Sequence, residues 1–245
     1  MNKILRYSLL VVLTLVSSMS FGQTTSVDNI AAFKALPSKT TATLTLKDAK
    51  VQYAKGNDIF VVDATGGINF YKSGLNYAAG QILNGTITAT YESYNNLPEL
   101  INVKEDKLVV TDGTITPIVM TVEEAIKTEN ACKLVTIKKV KAIKVEGKKG
   151  SNYFTDTTKK LQIYDRFKLE YTIDTENEMD YTGILIPFYQ KMEIAPTVSP
   201  VTTGISNIEA AANDKNAPIY NLAGQRVGKD YKGVVIKNGQ KYIQR

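Results

Sequence analysis

A twelve-residue pattern that occurs twice constrains this chain more than any other feature. Phe60-Val61-Val62-Asp63-Ala64-Thr65-Gly66-Gly67-Ile68-Asn69-Phe70-Tyr71 returns as Tyr153-Phe154-Thr155-Asp156-Thr157-Thr158-Lys159-Lys160-Leu161-Gln162-Ile163-Tyr164. Each copy reads as an apolar run, an Asp-x-Thr turn, then an alternation ending in Tyr. Alternation gives a strand one buried face and a short polar turn reverses the chain, so each copy predicts a β-hairpin. An internal repeat sets the number of folding units before any motif can be interpreted.

The repeat extends beyond the hairpins. Leu44-Thr45-Leu46-Lys47 matches Val135-Thr136-Ile137-Lys138, predicting strands over Thr41 to Val51 and Leu134 to Val145. Each is preceded by a short helix. The first spans Val27 to Leu36, capped by Ser26 and stopped by Pro37. The second leads into Ala125 to Glu129 from Thr121 and Glu124, which have capping-box spacing. The second copy gains two residues in the basic loop Glu146 to Ser151. After its hairpin, the first copy continues with strands over Gln81 to Tyr91 and Leu97 to Val103 around an Asn95-Asn96 turn. The second continues with strands over Phe167 to Ile173, Tyr181 to Phe188 and Lys191 to Ile194, and an acidic loop from Asp174 to Asp180. Five strands without a long helix leave sticky sheet edges unless the sheet closes, which predicts a barrel for each copy.

The ends of the chain differ from this body. Lys3 and Arg6 precede the apolar run Leu9 to Val16, followed by Ser17, Ser18, Ser20 and Gly22. This is the layout of a secretory signal peptide over 1–22, too short in its apolar part to span a bilayer. No transmembrane segment is expected once it is removed, and the mature protein is expected to be secreted or at the cell surface. Residues 197–217, with Pro200, Gly204 and an Ala run, read as a linker. Residues 218–245 read as a small β-meander with an Asn238-Gly239 hairpin turn.

Charge and composition exclude several functions. The formal charge of +6 is carried by the ends: +2 in residues 1–22 and +5 in 218–245, leaving −1 for residues 23–217. A protein that binds nucleic acid mainly by neutralising phosphates would not have a neutral body. There is no histidine, so a Ser-His-Asp triad, a Cys-His pair and a histidine zinc site are all impossible. The lone Cys132 has no cysteine partner in the chain and reads as a buried structural thiol. No motif requires a cofactor or a metal.

The first strand, the Phe/Tyr-x-x-Asp-x-Thr hairpin, the Gly80-Gln81-Ile82-Leu83-Asn84-Gly85 segment and a closing strand together resemble OB-fold domains of secreted bacterial proteins. The resemblance covers about 27–116 and 117–196, within domains expected over 23–116 and 117–196. The second copy lacks the Gly-Gly turn and the Gly-Gln-Ile-Leu element. It implies an all-β architecture of two tandem OB-like five-stranded barrels with a ligand face on strands two and three. It also implies oligosaccharide, single-stranded nucleic acid or protein ligands. The tail segments Ile219-Tyr220-Asn221-Leu222-Ala223-Gly224-Gln225-Arg226-Val227 and Lys232-Gly233-Val234-Val235-Ile236 are similar to type IX secretion sorting domains. That similarity implies sorting, and the tail's basic surface suits docking on an acidic envelope component.

Asp63 and Asp156 recur, as a pair of hydrolytic carboxylates would, but each begins a turn where Asp accepts bonds from N–H groups just ahead. The loop Asp174 to Asp180 lacks the glycine and the terminal acid of an EF-hand, so it reads as a solvated loop before a calcium site. Ten lysines and Arg166 lie between Lys133 and Lys168, interleaved with Tyr153, Phe154, Tyr164 and Phe167. Lysines beside aromatics suit a polyanion, and the expected ligand set is Lys138, Lys144, Lys148, Lys149, Tyr153, Lys159, Tyr164 and Arg166. Tyr53, Tyr71, Tyr77, Tyr91 and Tyr94 of the first copy suit stacking on sugar rings or packing against protein. The expected function is therefore non-catalytic binding of a polyanion, glycan or protein outside the cell. The alternatives are a structural module of a surface complex and, third, a carboxylate-dependent hydrolase.

Overall fold

Asn29, not Ser26, caps the first helix, because Ser26 is already committed to a strand. Strand β1 (Thr25–Val27) pairs in parallel with the start of β2 (Thr41–Lys55), and helix α1 (Ile30–Lys34) follows once Asn29 Oδ1 accepts from Ala32 N at 2.8 Å. The computed structural model describes residues 25–202, 218–228, 230–237 and 240–244. The signal-like segment, residues 203–217 of the linker and the Asn238-Gly239 turn lie outside them.

The first hairpin is β3 (Asp58–Asp63) and β4 (Gly66–Tyr71), followed by the long strands β5 (Ile82–Tyr94) and β6 (Leu97–Thr111). The sheet order is β1-β2-β3-β4-β6-β5, and β5 pairs back with β2, so the five long strands close. The β4–β6 pair is parallel and the other barrel pairs are antiparallel. This is the OB-like barrel that the sequence predicts. Gly85 permits the bend of β5: a Cβ there would lie 1.8 Å from the Lys107 carbonyl oxygen, and its φ is +125°.

The second unit repeats this order with its first strand broken. After β7 (Ile118–Met120), helix α2 (Val122–Ala125) carries the expected capping box: Glu124 N donates to Thr121 Oγ1 and Thr121 N to Glu124 Oε2. A 3₁₀ turn (Thr128–Asn130) replaces the rest of the expected helix. Strand one is β8 (Leu134–Val140) and β9 (Ile143–Gly147). It is interrupted at Lys141 and Ala142, just after a shift of the β8–β12 register where Lys139 takes a φ of +54° and donates its N–H to Asp180 Oδ1 at 2.9 Å. Strands β10 (Gly150–Phe154), β11 (Leu161–Ile163), β12 (Met179–Phe188) and β13 (Lys191–Pro196) complete the order β8-β12-β13-β11-β10-β9, with β7 and β14 (Val201–Thr202) added outside the barrel.

The strand expected over Phe167 to Ile173 does not form. Its apolar alternation is real, but Lys168 and Glu170 adopt φ of +53° and +57°, and Asp165 accepts the N–H groups of Leu169 and Glu170. A ladder cannot pass through left-handed residues whose amides are already engaged.

In the tail, β15 (Ile219–Asn221), β16 (Arg226–Val227), β17 (Gly233–Lys237) and β18 (Gln240–Gln244) form the expected small separate sheet, in the order β16-β15-β17-β18.

Each barrel is filled by its own apolar cluster. Leu44, Val61, Ile68, Phe70, Leu83 and Leu100 are among those inside barrel one; Val135, Ile137, Leu161, Tyr181, Leu185 and Ile194 are among those inside barrel two. A third cluster joins the barrels: Phe60 and Leu97 from the first meet Ala131, Cys132, Leu134, Phe167, Ile184, Ile186 and Ala195 from the second. Phe167, from the failed strand, packs on Tyr53 at 4.7 Å and edge-on to Phe60 at 6.2 Å between ring centroids. Gly67 makes this approach possible, since a Cβ there would lie 2.4 Å from the Ala131 carbonyl oxygen and 2.6 Å from Cys132 Cβ. Cys132 is fully buried and burial pushes its thiol up to about 12, as befits a structural cysteine.

Candidate functional site

The two barrels present their hairpin faces differently. In barrel one, alternation turns Phe60, Val62, Asp58, Gly67, Asn69 and Glu99 outward on β3, β4 and β6. Much of that face is covered by barrel two. Arg166 crosses to Asp58 with two bonds, Nε to Oδ2 at 3.2 Å and Nη2 to Oδ1 at 3.0 Å. Leu134 N donates to Gln52 Oε1 at 3.1 Å. In barrel two, by contrast, no residue of β9, β10 or β11 belongs to the third cluster. Their outward side is topped by the barrel's own Lys191. Its ammonium donates to Gln162 Oε1, lies 4.0 Å from Glu193, and sits over the rings of Phe188 and Phe154 at 5.5 and 5.9 Å.

Lys191 also lines a cleft of about 640 Å³ at the junction, which continues into a shallower one of about 580 Å³. Its lysines and tyrosines come from four elements. Helix α1 brings Lys34 in its last turn, and the end of β5 brings Tyr91. The Asp156 turn brings Lys159 and Lys160, and the β12–β13 hairpin brings Tyr189 and Lys191. The hairpin tips lock this arrangement: Asn96 Nδ2 donates to the Tyr189 carbonyl at 2.6 Å, and Tyr189 N to the Asn95 carbonyl at 2.9 Å. Asn95 and Asn96 have φ of +51° and +74°, as the expected two-residue turn requires. Tyr189 is 62% exposed, its ring edge-on to Phe188 at 4.8 Å. Four lysines therefore share a cleft whose lining among the described residues contains no carboxylate.

The expected ligand set is not assembled on one face. Lys159 alone reaches the cleft. Lys138 lies exposed on β8, Lys148 and Lys149 at the β9–β10 tip, and Lys144 pairs with Glu146 at 2.8 Å. Tyr153 is the direct cross-strand partner of Lys144 but packs against the core of barrel two. Tyr164 is exposed just beyond β11. Arg166 is engaged with Asp58, so its charge secures the docking of the barrels. Sequence reading missed Lys34, Tyr189 and Lys191. Only the Asn95-Asn96 turn, which positions Tyr189, carried a local signal.

Both repeated aspartates act as turn residues. Asp63 Oδ1 accepts from Thr65 N, Thr65 Oγ1 and Gly66 N at 2.7, 2.7 and 3.0 Å, and its Oδ2 accepts from Ile30 N at 2.9 Å. Asp156 Oδ1 accepts only Thr158 N and Oγ1, at 2.8 and 2.6 Å. In the acidic loop, Asp174 accepts the amides of Glu176 and Asn177 and the Asn177 side chain, which holds its carboxyl below the usual range. Among the described residues no group of three or more Cys, Asp or Glu side chains is placed to hold a metal ion. No helix among them is long and apolar enough to cross a membrane.

No family model matches the chain, and no curated protein matches it.

Proposed function

We propose that this is a non-catalytic binding protein of the OB-fold kind, exported from the cell. Its fused barrels present the basic cleft to an acidic oligosaccharide, a run of sugar rings bearing carboxylate or sulfate groups. The observation that carries this reading is the convergence of Lys34, Lys159, Lys160 and Lys191 with the exposed Tyr189 in one cleft that has no carboxylate among its described lining residues. Ammonium groups bind such anions as point charges, and tyrosine faces stack on the C–H side of a sugar ring. A nucleic acid strand is disfavoured because residues 23–217 carry a formal −1, and phosphate-driven affinity grows with the number of phosphates neutralised. A sorting role for the basic tail fits the same exported protein.

Calorimetric titration with a sulfated or uronic-acid oligosaccharide, its neutral counterpart and oligo-dT tests the reading. Binding of the acidic glycan, weakened about tenfold or more by Lys160→Glu, is expected. Equal binding of oligo-dT would transfer the site to nucleic acid. Silence toward every polyanion would leave the structural-module function in its place.

A further inference from the structure

A separate cavity of about 420 Å³ lies on the part of barrel one's outer face that barrel two leaves uncovered. Its chemistry differs from that of the basic cleft. Alternation sends Phe70, Tyr91 and Leu100 into the barrel core and leaves Tyr71, Glu92 and Glu99 outward, with Glu92 and Glu99 directly opposite each other across β5 and β6. Tyr94, two residues beyond Glu92 on the same face, is 62% exposed. Arg166 of barrel two supplies a wall, and its two bonds to Asp58 fix the direction of the guanidinium. Lys72 is held over the Tyr71 ring at 5.2 Å. The cavity is complete only when the barrels are docked.

Glu99 marks this cavity as more than a gap between strands. It is 4% exposed and has no cation within ion-pair distance among the described residues. Its one hydrogen bond among the described residues is a long one of 3.3 Å from Asn69 Nδ2. Burial raises its carboxyl above the usual range. Asn69, fully buried beside it, gives its amide hydrogens to Asp58 and Glu99, and its Oδ1 has no donor. Glu99 lines the cavity with unused acceptor capacity, and a hydroxylated ligand would supply the donors that it lacks.

We infer that this cavity is a second binding site, independent of the basic cleft, for one ring of an uncharged sugar. The ring stacks on Tyr94 and its hydroxyls donate to Glu92 and Glu99 and accept from Asn102 and Arg166. The lining has two acids and two cations, Lys72 and Arg166, so neither a strong anion nor a strong cation is favoured. A flat apolar face beside several in-plane acceptors is the complement of a pyranose. The volume is in the range of small-ligand pockets.

The test uses the full mature chain and a panel of uncharged monosaccharides and disaccharides of glucose, galactose, mannose and xylose, read by saturation-transfer NMR and calorimetry. At least one is expected to bind, with Tyr94→Ala weakening it about tenfold or more and Tyr94→Phe retaining it. Glu99→Gln is expected to weaken it, and Lys160→Glu to leave it unchanged. Because Tyr94 is exposed, its loss reads on binding and not on folding. Silence of the wild-type protein across the panel, or binding indifferent to Tyr94→Ala, would overturn the site. Loss of this binding with Lys160→Glu would assign it to the basic cleft instead.

Discussion

Barrel one and barrel two share a strand order, a hairpin and a turn aspartate, yet they use the hairpin face oppositely. Barrel one gives Phe60, Gly67 and Asp58 to its neighbour, while β9, β10 and β11 of barrel two stay out of the junction. Duplication therefore does not yield two equal binding modules. One copy becomes the platform on which the other is held, and residues of both line the basic cleft and the smaller cavity. Fold alone does not select a ligand, but it does select which faces remain to meet one.

Breaking the Arg166–Asp58 pair should have the largest effect on this asymmetry. Arg166→Met leaves Asp58 buried near Glu99 without its cation, at an expected cost of about 3 kcal/mol. Urea unfolding should then resolve two transitions. Combining Arg166→Met with Asp58→Leu should recover most of the loss, because the unpaired charge is removed as well. If the single variant unfolds like the wild type, the pair does not secure the docking.

The turn aspartates sharpen the comparison at a smaller scale. Asp63 accepts four hydrogen bonds and ties the hairpin to the start of α1, whereas Asp156 accepts two and serves only its own turn. Asp63→Ala should cost about 2–3 kcal/mol and Asp156→Ala about 1 kcal/mol, measured by chemical denaturation. Equal losses would show that the link to α1 contributes little.

The smallest effect is a pH dependence shared by the two barrels. Burial raises the carboxyl of Glu99 in barrel one and Glu193 in barrel two above the ordinary glutamate value of 4.5. Between 4.5 and those raised values the folded chain keeps protons that the unfolded chain releases, so these residues lower stability as pH rises through that interval. Glu99→Gln with Glu193→Gln should remove this contribution. The stability difference between variant and wild type should therefore grow as pH rises above 4.5 and then level off. A difference independent of pH would exclude it.

Much of the fold was legible because its signals are local. The Asp-x-Thr turns, the Thr121–Glu124 capping box and the Asn95-Asn96 turn each act within a few residues, and strand alternation needs only its own neighbours. Failures came where a local pattern met a tertiary demand. Ser26 was a plausible cap until β1 claimed it for pairing with β2. Phe167 to Ile173 alternates like a strand, but Phe167 and Leu169 are drawn onto barrel one and the backbone turns to deliver them. The basic stretch was seen as one patch because its residues are close in sequence. Strand pleating, ion pairing and core packing then dispersed Lys144, Tyr153 and Arg166 among different roles.

The sequence by itself determined the duplicated all-β units, their turns and the absence of histidine chemistry, since periodicity, turn residues and composition act locally or by simple presence. Tertiary structure decided which barrel face is covered and which lysines and tyrosines share a cleft. Those outcomes hang on single atomic approaches between distant residues: Gly67 against Ala131, or Arg166 on Asp58, 108 residues away. Close packing of two surfaces depends on shapes that exist only after each barrel has closed.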